Sequence, residues 1–194
     1  MSRTARIARA TRETQIDVEL NLDGTGVSGV DTGIGFLDHM LDQLARHGHL
    51  DLRISCKGDL HIDDHHTAED CALALGQAVS EALGDRAGIA RFAHAYAPLD
   101  EALCRVVLDF SGRPHAEVEL GLTRESLGGL ACENVEHFLR SFAIAAKATL
   151  HVDVLRGRND HHRAEAAFKA LALAVRAAVR VDGDAIPSTK GVLV

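Results

Sequence analysis

Apolar and polar residues alternate with period two through "ARIARATR" (5–12), "TQIDVELNL" (14–22) and "GTGVSGVDTG" (24–33). The same alternation returns in "RFAHAYAPL" (91–99), "LCRVVLDF" (103–110) and "HAEVEL" (115–120). A period of two predicts half-buried strands. Between and after these stretches the period lengthens. "GFLDHMLDQLARHG" (35–48) and "NVEHFLRSFA" (134–143) place apolar residues three and four apart, as a helix with one buried face requires. Short alternating runs follow, "DLRISCK" and "TLHVDVL", and then two long Ala/Leu-rich segments. Their apolar stripes are Ala68, Cys71, Leu75, Ala78 and Ala82 in the first, and Ala164, Phe168, Leu171, Val175 and Ala178 in the second.

The order of elements is therefore stated twice. Each half reads β-β-β-α-β-α, which predicts an α+β fold of two tandem repeats, each a four-stranded sheet with two helices on one face. Residues 1–87 form the first repeat, 88–180 the second, and 181–194 a C-terminal tail. The join falls near "GDRAGIAR" (84–91), with no Pro- or Ser-rich linker, so one compact unit is expected. The apolar helix faces should meet between the halves.

The duplication extends to chemistry. Each long helix opens on D-H-H-x-x-E, in "DDHHTAED" (63–70) and "NDHHRAEA" (159–166), and each short helix carries one early histidine, His39 or His137. Asp63 or Asp64, and Asn159 or Asp160, can cap the long helices. A histidine and a glutamate four apart lie one above the other on a helix, so His65 with Glu69, and His161 with Glu165, can each hold one ion. The second histidine of each pair, His66 or His162, is turned by about 100° and should address a different ion. The simplest arrangement is two metals. Each takes a His and Glu from one repeat, the second histidine of the other, and one of His39 or His137. Imidazole with carboxylate suits Zn, Fe, Mn, Co or Ni, and without thiolates a structural zinc is disfavoured.

Composition narrows the partners. The 194 residues are 46% hydrophobic, with no Trp and a single Tyr, and a net charge of −7 argues against nucleic acid. A small anion remains possible, because cations are concentrated locally: Arg91, Arg113 in "DFSGRPH", Lys169 one turn beyond Glu165, and Ser188, Thr189 and Lys190 in "PSTKG". "PSTKG" lacks the strand and glycine run of a Walker motif. No apolar run approaches ~18 residues, so no membrane span is expected. "MSRTARIARATRET" has no apolar h-region; its Arg and Thr content is like a transit segment, but its alternation reads better as a strand. Cys56, Cys71, Cys104 and Cys132 form no C-x-x-C pair and are expected as reduced core thiols, in keeping with a cytoplasmic location.

"GFLDHMLDQLARHG", "GDLHIDDHHTAED", "PLDEAL", "DFSGRP", "ENVEHFLRSFA", "TLHVDVLRGRNDHHRAEAAFKA" and "PSTKGVL" together resemble the imidazoleglycerol-phosphate dehydratase family of histidine biosynthesis. They span nearly the whole chain, with mild departures at Ala93, Leu99 and His49, the last expected beside the site or at the surface. The resemblance implies a duplicated fold like the second domain of ribosomal protein S5. It also implies two Mn²⁺ per active site, and trimers assembled into a 24-subunit homo-oligomer with active sites at subunit contacts. The implied metal ligands are His39, His65, His66, Glu69, His137, His161, His162 and Glu165. The implied acid/base residue is Glu13, and the implied substrate-binding residues are Glu13, Gln43, Arg91, Arg113, Lys169, Ser188 and Lys190. The implied reaction is dehydration of imidazole glycerol phosphate to imidazole acetol phosphate. A two-metal hydrolase of a phosphorylated small molecule is the alternative enzyme class. A metal-storage protein is the non-enzymatic one, disfavoured by His-x-x-x-Glu spacing and by the many strands.

Overall fold

A computed structural model describes residues 3–193. In the first repeat, β1 (Thr4–Ala10), β2 (Thr14–Asn21) and β3 (Ser28–Asp31) precede α1 (Gly35–Gly48), β4 (Asp51–Gly58) and α2 (His65–Leu83). In the second, β5 (Phe92–Leu99), β6 (Ala102–Asp109) and β7 (His115–Glu119) precede a small hairpin of β8 (Ser126–Leu127) and β9 (Leu130–Ala131). Then come α3 (Cys132–Ala145), β10 (Thr149–Arg156) and α4 (Asp160–Ala178). The sheets have matching orders, β1-β2-β4-β3 and β5-β6-β10-β7, with only the last pair of each parallel. Alternation does what it predicts: Ile16, Val18 and Leu20 of β2 and Cys104, Val106 and Leu108 of β6 face inward and are buried.

The four helices lie between the two sheets and pair across the repeats, α1 against α4 and α2 against α3. Every stripe residue named above is buried. Phe138 of α3 and Phe168 of α4 pack in a tilted pair at 5.7 Å between ring centroids, a contact adding about 0.5–1.5 kcal/mol beyond burial. Small residues set the spacing of both pairs. A Cβ on Gly76 of α2 would stand 2.5 Å from Phe142 O and 2.9 Å from Ala146 N of α3. In the other pair Gly48 of α1 approaches Ala172 O of α4. Gly76 and Ala172 are equivalent in the repeat, as are Ala146 and Gly48, so each crossing seats one glycine against one alanine. Because Gly48 lies within the helix contact, the left-handed turn that ends α1 falls to exposed His49 (φ 54°), whose N–H bonds Ala45 O.

Two local details go beyond the sequence pattern. The β8–β9 hairpin was not foreseen; its Gly128 and Gly129 both have positive φ, as a two-residue hairpin turn demands. The capping roles also divide. Asp63 and Asn159 accept the N–H bonds of His65 and His161, while the following aspartates reach elsewhere. Asp64 accepts from Ala131 N at 2.6 Å, and Asp160 from Thr123 N and Arg124 N, both at 2.7 Å. All four cysteines are free and buried, and burial pushes the Cys104 thiol up to about 12. Among the described residues no helix is long and apolar enough to cross a membrane.

Candidate metal centre and phosphate pocket

Crossed helix pairing brings each early histidine to the other repeat's helix start. His137 of α3 joins His65 and Glu69 of α2, and His39 of α1 joins His161 and Glu165 of α4. Within each group the three donor atoms lie within 4.8 Å of one another. His137 Nε2 is 3.0 Å from Glu69 Oε1; His39 Nε2 and His161 Nε2 are 3.0 and 3.1 Å from Glu165 Oε2. Two donors each about 2.1 Å from one divalent ion, at right angles, stand about 3.0 Å apart. Two imidazoles and a carboxylate at this separation therefore fit a transition-metal ion, and each group supplies three ligands.

The two groups differ around their rims. Asn134 Oδ1 lies 3.0 Å from His65 Nδ1, which fixes the proton there and leaves Nε2 as the donor. The equivalent neighbour of His161 is Phe36, packed edge-on at 5.2 Å. Lys169 Nζ lies 2.7 Å from Glu165 Oε1, whereas Leu73 occupies the equivalent position beside Glu69. Burial drives the Glu165 carboxyl upward, but hydrogen bonds from Lys169, His39 and His161 outweigh it and bring it down to about 2.

Within the chain His66 and His162 stand outside both groups, and it is the early histidines that cross between the repeats. Each second histidine instead holds Nδ1 against a carboxylate: Asp59 at 3.0 Å for His66 and Glu101 at 2.7 Å for His162. Those bonds raise both imidazole pKa values and leave Nε2 free to act as a donor.

Glu13 sits at the β1–β2 turn, 3.8 Å from His66 Nε2 and half exposed. Its repeat equivalent is Glu101, 88 residues on, at the β5–β6 turn. Glu101 is held by His162 and by Arg158 N and Asn159 N, and the His162 bond, with these two, lowers its carboxyl to about 2. Duplicated turns thus carry one tethered carboxylate and one, Glu13, that accepts no side-chain hydrogen bond among the described residues.

Arg91, Arg113, Ser188, Thr189 and Lys190 line one cavity of about 690 Å³ with Phe92 and Pro187. Its cations and hydroxyls suit a phosphate. Gln43 and Lys169 are not among its lining residues: Gln43 Oε1 pairs with His47 Nε2 at 2.9 Å on α1, and Lys169 belongs to the Glu165 group. Arg91 N bonds Ala178 O at the end of α4, and His161 is at its start, 17 residues or about 26 Å away along the axis.

A family model described as imidazoleglycerol-phosphate dehydratase matches residues 32–175. The chain belongs to that family. It is therefore a lyase among metal-dependent dehydratases. An imidazoleglycerol-phosphate dehydratase from Zymomonas mobilis subsp. mobilis is 60% identical over the full length of both chains. One from Phytophthora nicotianae is 64% identical over 98% of this chain, which spans 42% of that longer relative. Among solved structures, the dehydratase of Staphylococcus aureus superposes with a TM-score of 0.83 at 37% identity, over 92% of this chain and 99% of its own. The Pyrococcus furiosus enzyme, solved in complex with (S)-C348, gives 0.84 at 36% identity over 96% and 100%. Within this dehydratase frame, the motif reading missed Asp59, Glu101, Asn134 and Asp109. Only Glu101 had a sequence signal, its 88-residue offset from Glu13.

Proposed function

We propose that the chain dehydrates imidazole glycerol phosphate to imidazole acetol phosphate at a two-Mn²⁺ site, one ion per His-His-Glu group. The observation that carries this reading is the pair of equivalent groups, His39/His161/Glu165 and His65/Glu69/His137, accompanied by a cationic pocket. Manganese bound there would supply Lewis acidity and a template for a planar ring. The chain's own residues do the rest. The net reaction takes a hydrogen from one carbon and hydroxyl from its neighbour; the enol left behind becomes the ketone. No carbonyl adjoins the carbon that loses the hydrogen, so a positioned base is required, and Glu13, untethered beside His66, is that proton carrier. Arg91, Arg113, Ser188 and Lys190, the last two in the tail beyond residue 180, grip the phosphate, and Gln43 and Lys169 serve the ring end of the substrate.

The helix length from His161 to the Ala178 end beside Arg91, roughly 26 Å, is more than a three-carbon chain reaches, which supports a site completed by another chain. The site is accordingly shared: His66 and His162 complete the ligand sets of neighbouring chains in a homo-oligomer, a 24-mer built from trimers in a cytoplasmic enzyme. The presentation of their Nε2 atoms by Asp59 and Glu101 supports this.

Two measurements test it. Incubation with imidazole glycerol phosphate and Mn²⁺ yields the ketone without inorganic phosphate; release of phosphate would instead identify a hydrolase. Mixing inactive His161→Ala and Arg113→Ala chains during assembly restores activity. Mixed particles that stay inactive rule out the shared site.

A further inference from the structure

Arg91 lies where the two repeats join, 8% exposed and in the left-handed region at φ 71°. Its guanidinium is committed on two sides. Nε and Nη2 donate to Asp109 Oδ1 and Oδ2 at 2.8 and 3.1 Å, a planar two-bond pairing, while Nη1 donates to Pro187 O at 2.8 Å. The guanidinium carbon sits 4.3 Å from the centre of the Phe92 ring. Among the described residues the backbone anchors the tail to the body only as far as Ala185: Gly88 N bonds Ala185 O, and the later bonds, Ser188 N to Ile186 O, Lys190 N to Ser188 Oγ and Gly191 N to Ser188 O, stay within the tail. Among the described residues, Arg91–Pro187 is the one hydrogen bond tying 187–193 to any residue before the tail (181–193). Beyond it come Ser188, Thr189 and Lys190, the tail's polar share of the cavity.

We propose that Asp109 is a positioning residue for phosphate binding: by clamping Arg91 it aims Nη1 at Pro187 O and so sets Ser188, Thr189 and Lys190 around the pocket. The proposal rests on the phosphorylated substrate argued above, but the placement of the tail is measurable without any turnover. Asp109 makes two charge-assisted bonds on a rigid planar fork. An amide in its place keeps one acceptor and turns a donor against the guanidinium, so Arg91 loses its aim while the pocket keeps its cations.

The test is Asp109→Asn in the assembled protein. Trypsin cleaves after Lys190 several-fold faster in the variant, and inorganic phosphate slows that cleavage in the wild type but not in the variant. The KM for imidazole glycerol phosphate rises on the order of 10-fold with kcat changed about 3-fold or less, as expected when ground-state and transition-state binding are lost together. Combined with Lys190→Ala, the two KM effects are less than multiplicative, because the tail is already displaced. Arg91→Lys, which retains the charge but reaches only one of its two partners, shows the same release of the tail and serves if Asp109→Asn does not fold. Unchanged cleavage in both variants, or fully multiplicative KM effects, overturns the assignment. A wild-type chain that shows the phosphate-protected tail yet performs no dehydration refutes the functional reading and leaves the positioning role standing.

Discussion

The two His-His-Glu groups are copies of one design with different surroundings. In the α2/α3 group the glutamate is more open, with a side-chain exposure of 36% for Glu69 against 11% for Glu165, and Asn134 orients the His65 ring. In the α1/α4 group an aromatic ring replaces the asparagine and Lys169 neutralises the carboxylate. The same division runs through the hairpin turns, where Glu101 is tethered and Glu13 is not. The repeat carries two equivalent His-His-Glu groups, and their surroundings set a half whose carboxylate is charge-compensated by Lys169 against one whose turn carboxylate, Glu13, is untethered.

The largest effects test whether the halves are equally needed. His65→Ala and His161→Ala each remove one of the ligands of a single group. Each variant is expected to lose about one bound ion of two by metal analysis and to lose activity by 10²-fold or more, on the order of what loss of a metal's Lewis acidity costs. Full metal content and full activity in both would refute the two-ion reading. Next comes the contrast between the duplicated turns. Glu13→Gln should lower kcat by about 10²–10⁴-fold with metal content intact. Glu101→Gln should weaken metal binding by about 10–100-fold, the usual cost of losing a carboxylate behind a histidine ligand. If metal titration finds the two variants alike, the division of labour between Glu13 and Glu101 is wrong.

Smaller effects probe the scaffold. Gly76→Ala drives a Cβ into Phe142 O and the Ala146 backbone, neither of which can swing aside. It should cost about 1–3 kcal/mol in denaturant unfolding, typical of overpacking. At the equivalent crossing Ala172→Gly should cost about 1 kcal/mol, set by helix propensity. No loss of stability in Gly76→Ala would mean that the α2–α3 crossing opens to admit a methyl group.

Much of this was readable from the chain because it was written twice. Period two marked the strands, since each has one buried face, and the repeated D-H-H-x-x-E marked two helix starts as chemistry rather than solvated polar turns. Legibility ended where partners are chosen by packing. Which early histidine meets which pair depends on the α1–α4 and α2–α3 crossings, seated on Gly48 and Gly76, and nothing local to His39 or His137 encodes that. Asn134 and Asp109 escaped notice for the same reason: each acts on a side chain far away in sequence, 69 residues for Asn134 and His65 and 18 for Asp109 and Arg91. The β8–β9 hairpin, with strands of two residues, is too short to show a period, although "GG" between Leu127 and Leu130 carried the turn.

The gentlest test concerns the second aspartate of each motif copy. Asp160 is buried, which pushes its carboxyl up, but N–H donors from Thr123 and Arg124 and the Thr123 hydroxyl outweigh this and hold it below the usual carboxylate range. A group whose folded pKa is depressed stabilises the fold fully above its unfolded pKa, and that contribution fades as pH falls through the folded value. Asp160→Asn should therefore melt earlier at neutral pH, by about 1–3 kcal/mol for a lost charge-assisted set. The gap between variant and wild type should begin to narrow as pH falls below about 3.9, where the unfolded carboxyl titrates, and close as pH falls through the lower folded value. Asp64 makes a single bond of this kind, to Ala131 N, so Asp64→Asn should lose less. A pH-independent gap at Asp160, or an equal loss at Asp64, would mean that these carboxylates do not hold their loops by charge.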